Sequence, residues 1–197
     1  MLKVAIRCTV ADIGSNSYMT KTPMTALAGV PSCAGNLVGF LRWAKVNAVG
    51  ISNSIIVNIT VSAKAVVGVE DLRISTVRRA NPLRTTRIDC AGGQGDDSNF
   101  IYAAVNLDDN PPTVHYICNN RACQVPNVTL GQGGNVQIHI SAYSAKNLVL
   151  WQGRIDLLVN GRLITLDLGK YVTTPENYKG ILGCEPHIGG WSCSYPK

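Results

Sequence analysis

The sequence predicts an all-β protein, an antiparallel β-sandwich of immunoglobulin-like or jelly-roll type with long loops and at most one short helix. Three observations carry that expectation. The odd positions Ile55, Val57, Ile59, Val61, Ala63, Ala65 and Val67 are apolar, while Asn58, Thr60, Ser62 and Lys64 lie between them. A period of two lines one face of a strand. Asn160-Gly161, set between two apolar runs, is the residue pair favoured by a two-residue type I′ hairpin. The remaining apolar segments are short and are separated by turn-forming stretches, the spacing of a sandwich.

Taken in order, the first strand runs from Leu2 to Val10, where Leu2, Val4, Ile6, Cys8 and Val10 alternate with Lys3, Ala5, Arg7 and Thr9. Between Asn36 and Lys45, residues Leu37, Phe40, Leu41 and Ala44 fall at helical spacing, yet Gly39 to Val46 also reads as a strand, so both assignments stand. After the strand from Ile55 to Val67, the apolar phase moves to Leu72 and Ile74. That shift reads as a turn at Gly68 to Asp71 and therefore as a hairpin. Further strands are expected at Arg87 to Cys90, Phe100 to Leu107 and Thr113 to Cys118. Val136, Ile138, Ile140 and Ala142 alternate with polar residues and are expected to join the Asn160-Gly161 hairpin in a three-stranded meander. A two-residue loop fixes the register of that hairpin: Leu157 faces Ile164, Ile155 faces Leu166, Asp156 faces Thr165 and Arg154 faces Asp167. No internal repeat or heptad interrupts the chain. One domain over 1–197 is expected, with 1–11 a terminal strand open to exchange between subunits.

Composition sets the outer limits. The chain has 197 residues, 46% hydrophobic and 15% charged, against roughly 25% charged in an average soluble domain. This excludes disorder and a solvated coiled coil. No apolar run approaches the roughly 18 residues of a membrane-spanning helix, and Lys3 and Arg7 interrupt the first ten residues, so no signal peptide is expected there. Lys and Arg number 18 against 12 acids, a net charge of +6 that favours encounter with nucleic acid or an anionic surface without establishing either.

Seven cysteines are many for a reducing compartment. Cys118 with Cys123 and Cys184 with Cys193 suit small disulfide loops. Cys8 and Cys33 can close a third of about 25 residues, which stabilises by roughly 3–4 kcal/mol and leaves Cys90 unpaired. Reduced core thiols and a metal site are the competing readings, although no short Cys-x2-Cys spacing of structural zinc occurs. Disulfides imply secretion, a cell surface, a virion or the interior of a hyperthermophile. The sequons at Asn58 and Asn127 permit glycosylation.

No Gly-x-Ser-x-Gly elbow, P-loop, dinucleotide glycine motif or His-Glu-x-x-His occurs. His115, His139 and His187 read as surface or loop residues, so no catalytic residue, metal or cofactor is expected. The acidic loops at 96–99 and 106–110 offer oxygen ligands but lack the spacing of a calcium loop with its closing glutamate, and read as turn caps. Arg73, Arg78, Arg79, Arg84 and Arg87 form a basic cluster suited to phosphate or carboxylate. It has no interleaved aromatic residues for base stacking. Contact with nucleic acid, ion pairs between subunits and a solvated face all remain open for it. Trp151 and Trp191 can form a sugar platform or pack against the sheet.

The stretch Ile138-His139-Ile140-Ser141-Ala142-Tyr143-Ser144, followed by Gly153 to Val159 and Asn160-Gly161-Arg162, resembles the strand and V-N-G-R hairpin of immunoglobulin-like modules in archaeal and bacterial surface proteins. That resemblance implies an extracellular structural or adhesive module without an active site. The first strand and the polar stretch from Asp12 to Ser17 resemble the donor strand of pilus-type filament subunits. This second resemblance implies a homopolymer in which Leu2, Val4, Ile6 and Val10 insert into a neighbour's sheet, at roughly 1.5–3 kcal/mol per buried side chain. The expected function is thus a non-enzymatic, self-assembling subunit of an extracellular filament, pilus or virion surface. The alternatives are a basic capsid protein that contacts nucleic acid and a secreted carbohydrate-binding module.

Overall fold

The alternating segments fold as strands, and the protein is all-β, with one α-helix among the described residues. The structure is a computed structural model that describes residues 5–14, 17–22, 24–33, 35–82, 86–90, 100–118, 121–124, 126–175, 182–187 and 190–194. The first elements are β1 (Ile6–Gly14), β2 (Ser17–Thr20), a 3-10 helix (Met24–Gly29), α1 (Leu37–Asn47), β3 (Ala48–Gly50), β4 (Ser52–Val61) and β5 (Ala65–Ala80). They are followed by β6 (Thr86–Asp89), β7 (Phe100–Asn106), β8 (Thr113–Cys118), β9 (Arg121–Cys123) and β10 (Asn127–Leu130). The last are β11 (Asn135–Tyr143), β12 (Leu148–Val159), β13 (Arg162–Thr173), β14 (Leu182–His187) and β15 (Gly190–Ser194).

Two sheets result. One has the order β1-β4-β11-β7-β8-β9, the other β10-β5-β12-β13-β3-β2-β6-β14-β15. Both are mixed rather than antiparallel throughout: β7 runs parallel to β11, β3 to β13 and β6 to β14. Parallel neighbours need a crossover, and β8 to β10 supply it between β7 and β11. Alternation along a single strand reports its two faces and carries no sign of its neighbour's direction.

The expected hairpin at Gly68 to Asp71 is absent. The chain turns earlier, at Ser62 to Lys64, and β5 runs straight through 68–71 into the other sheet. Gly68 serves close approach rather than a turn, since a Cβ there would stand 2.1 Å from the Asn127 Oδ1. The phase shift is a β-bulge: Val69 faces Leu157 and Asp71 faces Asp156, so Glu70 is the extra residue. The expected meander is also corrected, because β11 lies in the six-stranded sheet while β12 and β13 lie in the other.

The hairpin at Asn160-Gly161 folds as expected. Asn160 has φ 49° and Gly161 φ 77°, and the predicted pairs from Leu157 with Ile164 to Arg154 with Asp167 are all in register. Asn160 also ties the turn to β5, its Oδ1 accepting from the Val66 N–H at 2.8 Å. The ambiguous segment at 36–46 is helix. The Asn36 side chain caps it by accepting from the Gly39 N–H at 2.9 Å, and Phe40 and Ala44 bury one face.

The two sheets share one large core. Ile55, Val57, Ile59 and Val61 of β4 and Ile138 and Ile140 of β11 meet Val67 and Val69 of β5 and Trp151, Ile155 and Leu157 of β12. A second, smaller core gathers Tyr18, Leu27, Phe40, Ala44, Ile88, Cys90 and Cys184 beneath α1. Tyr18 meets the Phe40 ring edge-on at 5.3 Å between centroids. The link between the regions is narrow: Thr173 of β13 pairs with Gly50 of β3, and Thr174 N–H donates to the Gly50 carbonyl at 3.1 Å. Buried Trp151 braces this joint by donating Nε1–H to the Thr173 hydroxyl at 2.9 Å.

Candidate functional site

The cysteines divide between the two regions. Cys33, just before α1, is bonded to Cys90, just after β6, with Cα atoms 5.9 Å apart. The expected pairing of Cys8 with Cys33 is therefore corrected. Cys8 is a free, half-buried thiol on β1 that packs against the large core, and burial pushes its pKa up. The two residues that sequence spacing brings together belong to different cores. Cys123 and Cys184 are each disulfide-bonded, and Cys193 stands opposite Cys184 in the β14/β15 ladder. The side chains of Cys118 and Cys193 lie outside the described residues.

The basic cluster is dispersed. On β5, Arg73 is ion-paired with Asp71 at 2.9 Å and with Asp156. Arg79 reaches the β7–β8 loop, donating to the carbonyls of Leu107 at 2.9 Å and Asp109 at 2.8 Å. Arg87 on β6 pairs with Asp89 at 2.8 Å. Arg78 is exposed on β5, and Arg84 lies outside the described residues. Alternation along β5 and a change of strand before Arg87 separate charges that are close in sequence.

Of the donor-strand residues, Ile6 and Val10 lie on β1, half-buried against the large core; Leu2 and Val4 lie outside the described residues. β1 is an edge strand, paired only with β4 among the described residues, with Ile6 facing Val61 and Val10 facing Val57. Asn58 sits mid-strand in β4 between Thr9 and Gln137, whereas Asn127 is exposed at the start of β10.

Several expected polar groups turn out to be structural. Both oxygens of Asp108 are occupied, one by the Ser144 hydroxyl at 2.7 Å and the other by the Ala145 N–H at 2.6 Å. Asp109 accepts from Asn106 and Thr113. This loop ties β7 to the β11–β12 connection, as turn-capping carboxylates do. His139 is hydrogen-bonded to Gln137 at 3.1 Å, and His115 is exposed on β8. Trp151 is fully buried against Tyr171, which removes it as a sugar platform; Trp191 has no described side chain. Burial together with the Asp71 carboxylate pushes the Tyr116 phenol up to about 12.

The most organised polar surface is the outward face of β5, β12 and β13. Cross-strand register sets three rows: Ser75, Gln152 and Lys170; Arg73, Arg154 and Asp167; Asp71, Asp156 and Thr165. A cleft of about 640 Å³ opens over the first two rows. Bulges shape it. Leu168 is the extra residue opposite Gly153 and Arg154, and Gly169 next to it has φ 95°, a conformation glycine adopts at no steric cost. At Gly153 a Cβ would come within 2.9 Å of the Cδ1 atoms of Ile74 and Leu168, so a larger residue there would require those side chains to shift under the cleft.

Asp156 organises this face from below. It is 6% exposed, accepts from the Thr165 hydroxyl at 2.5 Å and from Arg73, and lies 3.8 Å from the Arg154 Nε. The Thr165 hydrogen bond first, and the Arg73 guanidinium second, hold its carboxyl below the usual carboxylate range. Two like charges directly opposite, Arg73 and Arg154, are thereby compensated. The hairpin register exposed two pairs of this array in the sequence, Arg154 with Asp167 and Asp156 with Thr165, while Gln152 opposite Lys170 lies beyond the bulge at Leu168. The array's β5 residues came with a pairing to β12 that joins positions about 80 residues apart and leaves no local trace.

Compared with protein-family models, curated proteins and solved structures, the chain matches none. Fold and surface therefore define its class directly: an all-β, disulfide-bonded protein with two sheets around a shared core.

Proposed function

We propose that the protein is a non-enzymatic structural subunit of an extracellular filament, pilus or virion surface, a two-sheet sandwich that assembles by exchanging β1 with a neighbouring copy. The observation that carries this reading is the position of β1. Among the described residues it holds a sheet edge through a single neighbour, and it turns Ile6, Cys8 and Val10 onto the core. A strand held on one side only can be replaced by the same strand of another copy without breaking an internal ladder, and every contact made in the monomer is remade in the polymer. The Cys33–Cys90 bond is compatible with an oxidising compartment.

The test is a cysteine pair across the β1/β4 ladder. Thr9 and Asn58 face each other there, off the core face, so Thr9→Cys with Asn58→Cys, in a Cys8→Ser background, forms a disulfide wherever those strands pair. After oxidation of assembled material, non-reducing electrophoresis is expected to show a ladder of covalently linked chains. Bands at the 21.1 kDa monomer alone, from material that light scattering shows to be polymeric, would rule out strand exchange. A strictly monomeric wild-type protein would rule out assembly altogether.

A further inference from the structure

We propose that the outer face of β5, β12 and β13 binds acidic glycan chains, with Arg154 and Lys170 receiving a carboxylate or sulfate of the sugar. Among the described residues the cleft is lined by three cations, Arg73, Arg154 and Lys170, against one acid, Asp167. Their state differs. Arg73 is held by Asp71 and Asp156. Arg154 makes only the 3.8 Å approach to Asp156, and Lys170 has no partner among the described residues. Lys170 thus faces the cleft unpaired among the described residues, and Arg154, held only by a long ion pair with Asp156, presents a guanidinium whose planar fork matches a carboxylate or sulfate. The buried Asp156 leaves Arg73 anchored in place beside them.

The neutral groups narrow the ligand further. The side chains of Ser75 and Gln152 have no hydrogen-bond partner among the described residues and stand in the same row as Lys170. Adjacent strands are about 4.8 Å apart, so three strands present donors and acceptors across about 10 Å, the span of two linked sugar rings. Asp167 in the middle row accepts from the Gly169 N–H at 2.8 Å through one oxygen, which leaves the other for a hydroxyl donor, and its charge repels closely spaced phosphates. No aromatic ring among the described residues lines the cleft, so a neutral glycan gains no stacking from them and the anionic group must supply the affinity. The ligand that fits is one rich in hydroxyls and carrying separated negative charges.

The proposal is tested by calorimetric titration of the full chain with oligogalacturonate, heparin oligosaccharide, neutral dextran and inorganic sulfate, at about 150 mM salt to suppress long-range attraction. Binding to one or both acidic oligosaccharides is expected, with none to dextran. Arg154→Ala and Lys170→Ala should each weaken it about tenfold, the scale of one lost charge-assisted hydrogen bond. Arg78→Ala removes the same charge from β5 outside the cleft and should leave affinity within about twofold, with circular dichroism confirming that all three variants fold. An equal loss in Arg78→Ala would assign binding to the net charge of +6 and overturn the proposal. So would inorganic sulfate binding as tightly as the oligosaccharides, or no binding by either acidic chain.

Discussion

The two cores hold their parts together by different means. The large one is closed by long ladders: β12 pairs with β13 over Val149 to Val159 and with β5 over Leu148 to Val159, and its buried residues come from alternate positions of strands up to 16 residues long. The small one is assembled from β2, β3 and β6, none longer than four residues, together with α1 and the strands near 182–194. Short strands contribute few ladder bonds and few inward side chains, too little to repay the ordering of the chain around them. The difference shows where a covalent constraint matters. The Cys33–Cys90 bond, 57 residues apart in sequence, joins the segment before α1 to the end of β6 inside the small core, while on the large region the thiol facing the core, Cys8, is free and the disulfide-bonded Cys123 lies on the edge strand β9, away from the long ladders.

The sharpest way to break this contrast is at the joint between the regions. Trp151→Ala removes a fully buried ring, its hydrogen bond to Thr173 and its contact with Tyr171. It should cost about 3–5 kcal/mol, read as a lowered midpoint in urea, and both cores should lose stability because Thr173 carries the link to β3. A change confined to the large core would show that the regions are uncoupled. Next in size, Cys33→Ala with Cys90→Ala should cost roughly 2–4 kcal/mol, localised by amide hydrogen exchange to 36–47 and 86–89, with β4 and β11 still protected. Equal loss of protection in β4 would mean that the small region is not a separate stability unit.

The smallest effect belongs to the polar face of the large region. The Asp156 pKa is lowered in the folded protein from a reference of 3.8, so its ionised form stabilises the fold above that value and the contribution fades as pH falls through the folded pKa. Asp156→Asn should therefore lower the urea midpoint at neutral pH. The gap to wild type should close progressively below pH 3.8. Parallel curves across that range would mean that the carboxylate charge is not what orders Arg73 and Thr165.

Legibility in the sequence follows the same division. Most strands of the large core could be read directly because each is long enough to show alternation, and the Asn160-Gly161 register was fixed by a two-residue turn. The bulge at Glu70 passed for a turn, since one extra residue shifts the apolar phase as a reversal does. Asp156 opposite Thr165 and Arg154 opposite Asp167 were visible for the cleft, but Arg73 and Ser75 were not, because their neighbours lie about 80 residues away.

By itself, the sequence determined what depends on near neighbours: the β-class of the chain, which face of each long strand is wet, and the hairpin whose two turn residues take positive φ. Only the tertiary structure decided which strands run parallel, that β4 and β5 part into different sheets, that Cys33 meets Cys90, and that three strands combine their outer faces into one charged cleft. Those outcomes are pairings between distant segments. Their energies come from packing against whichever surface arrives, and a pattern of period two identifies a face without naming its partner.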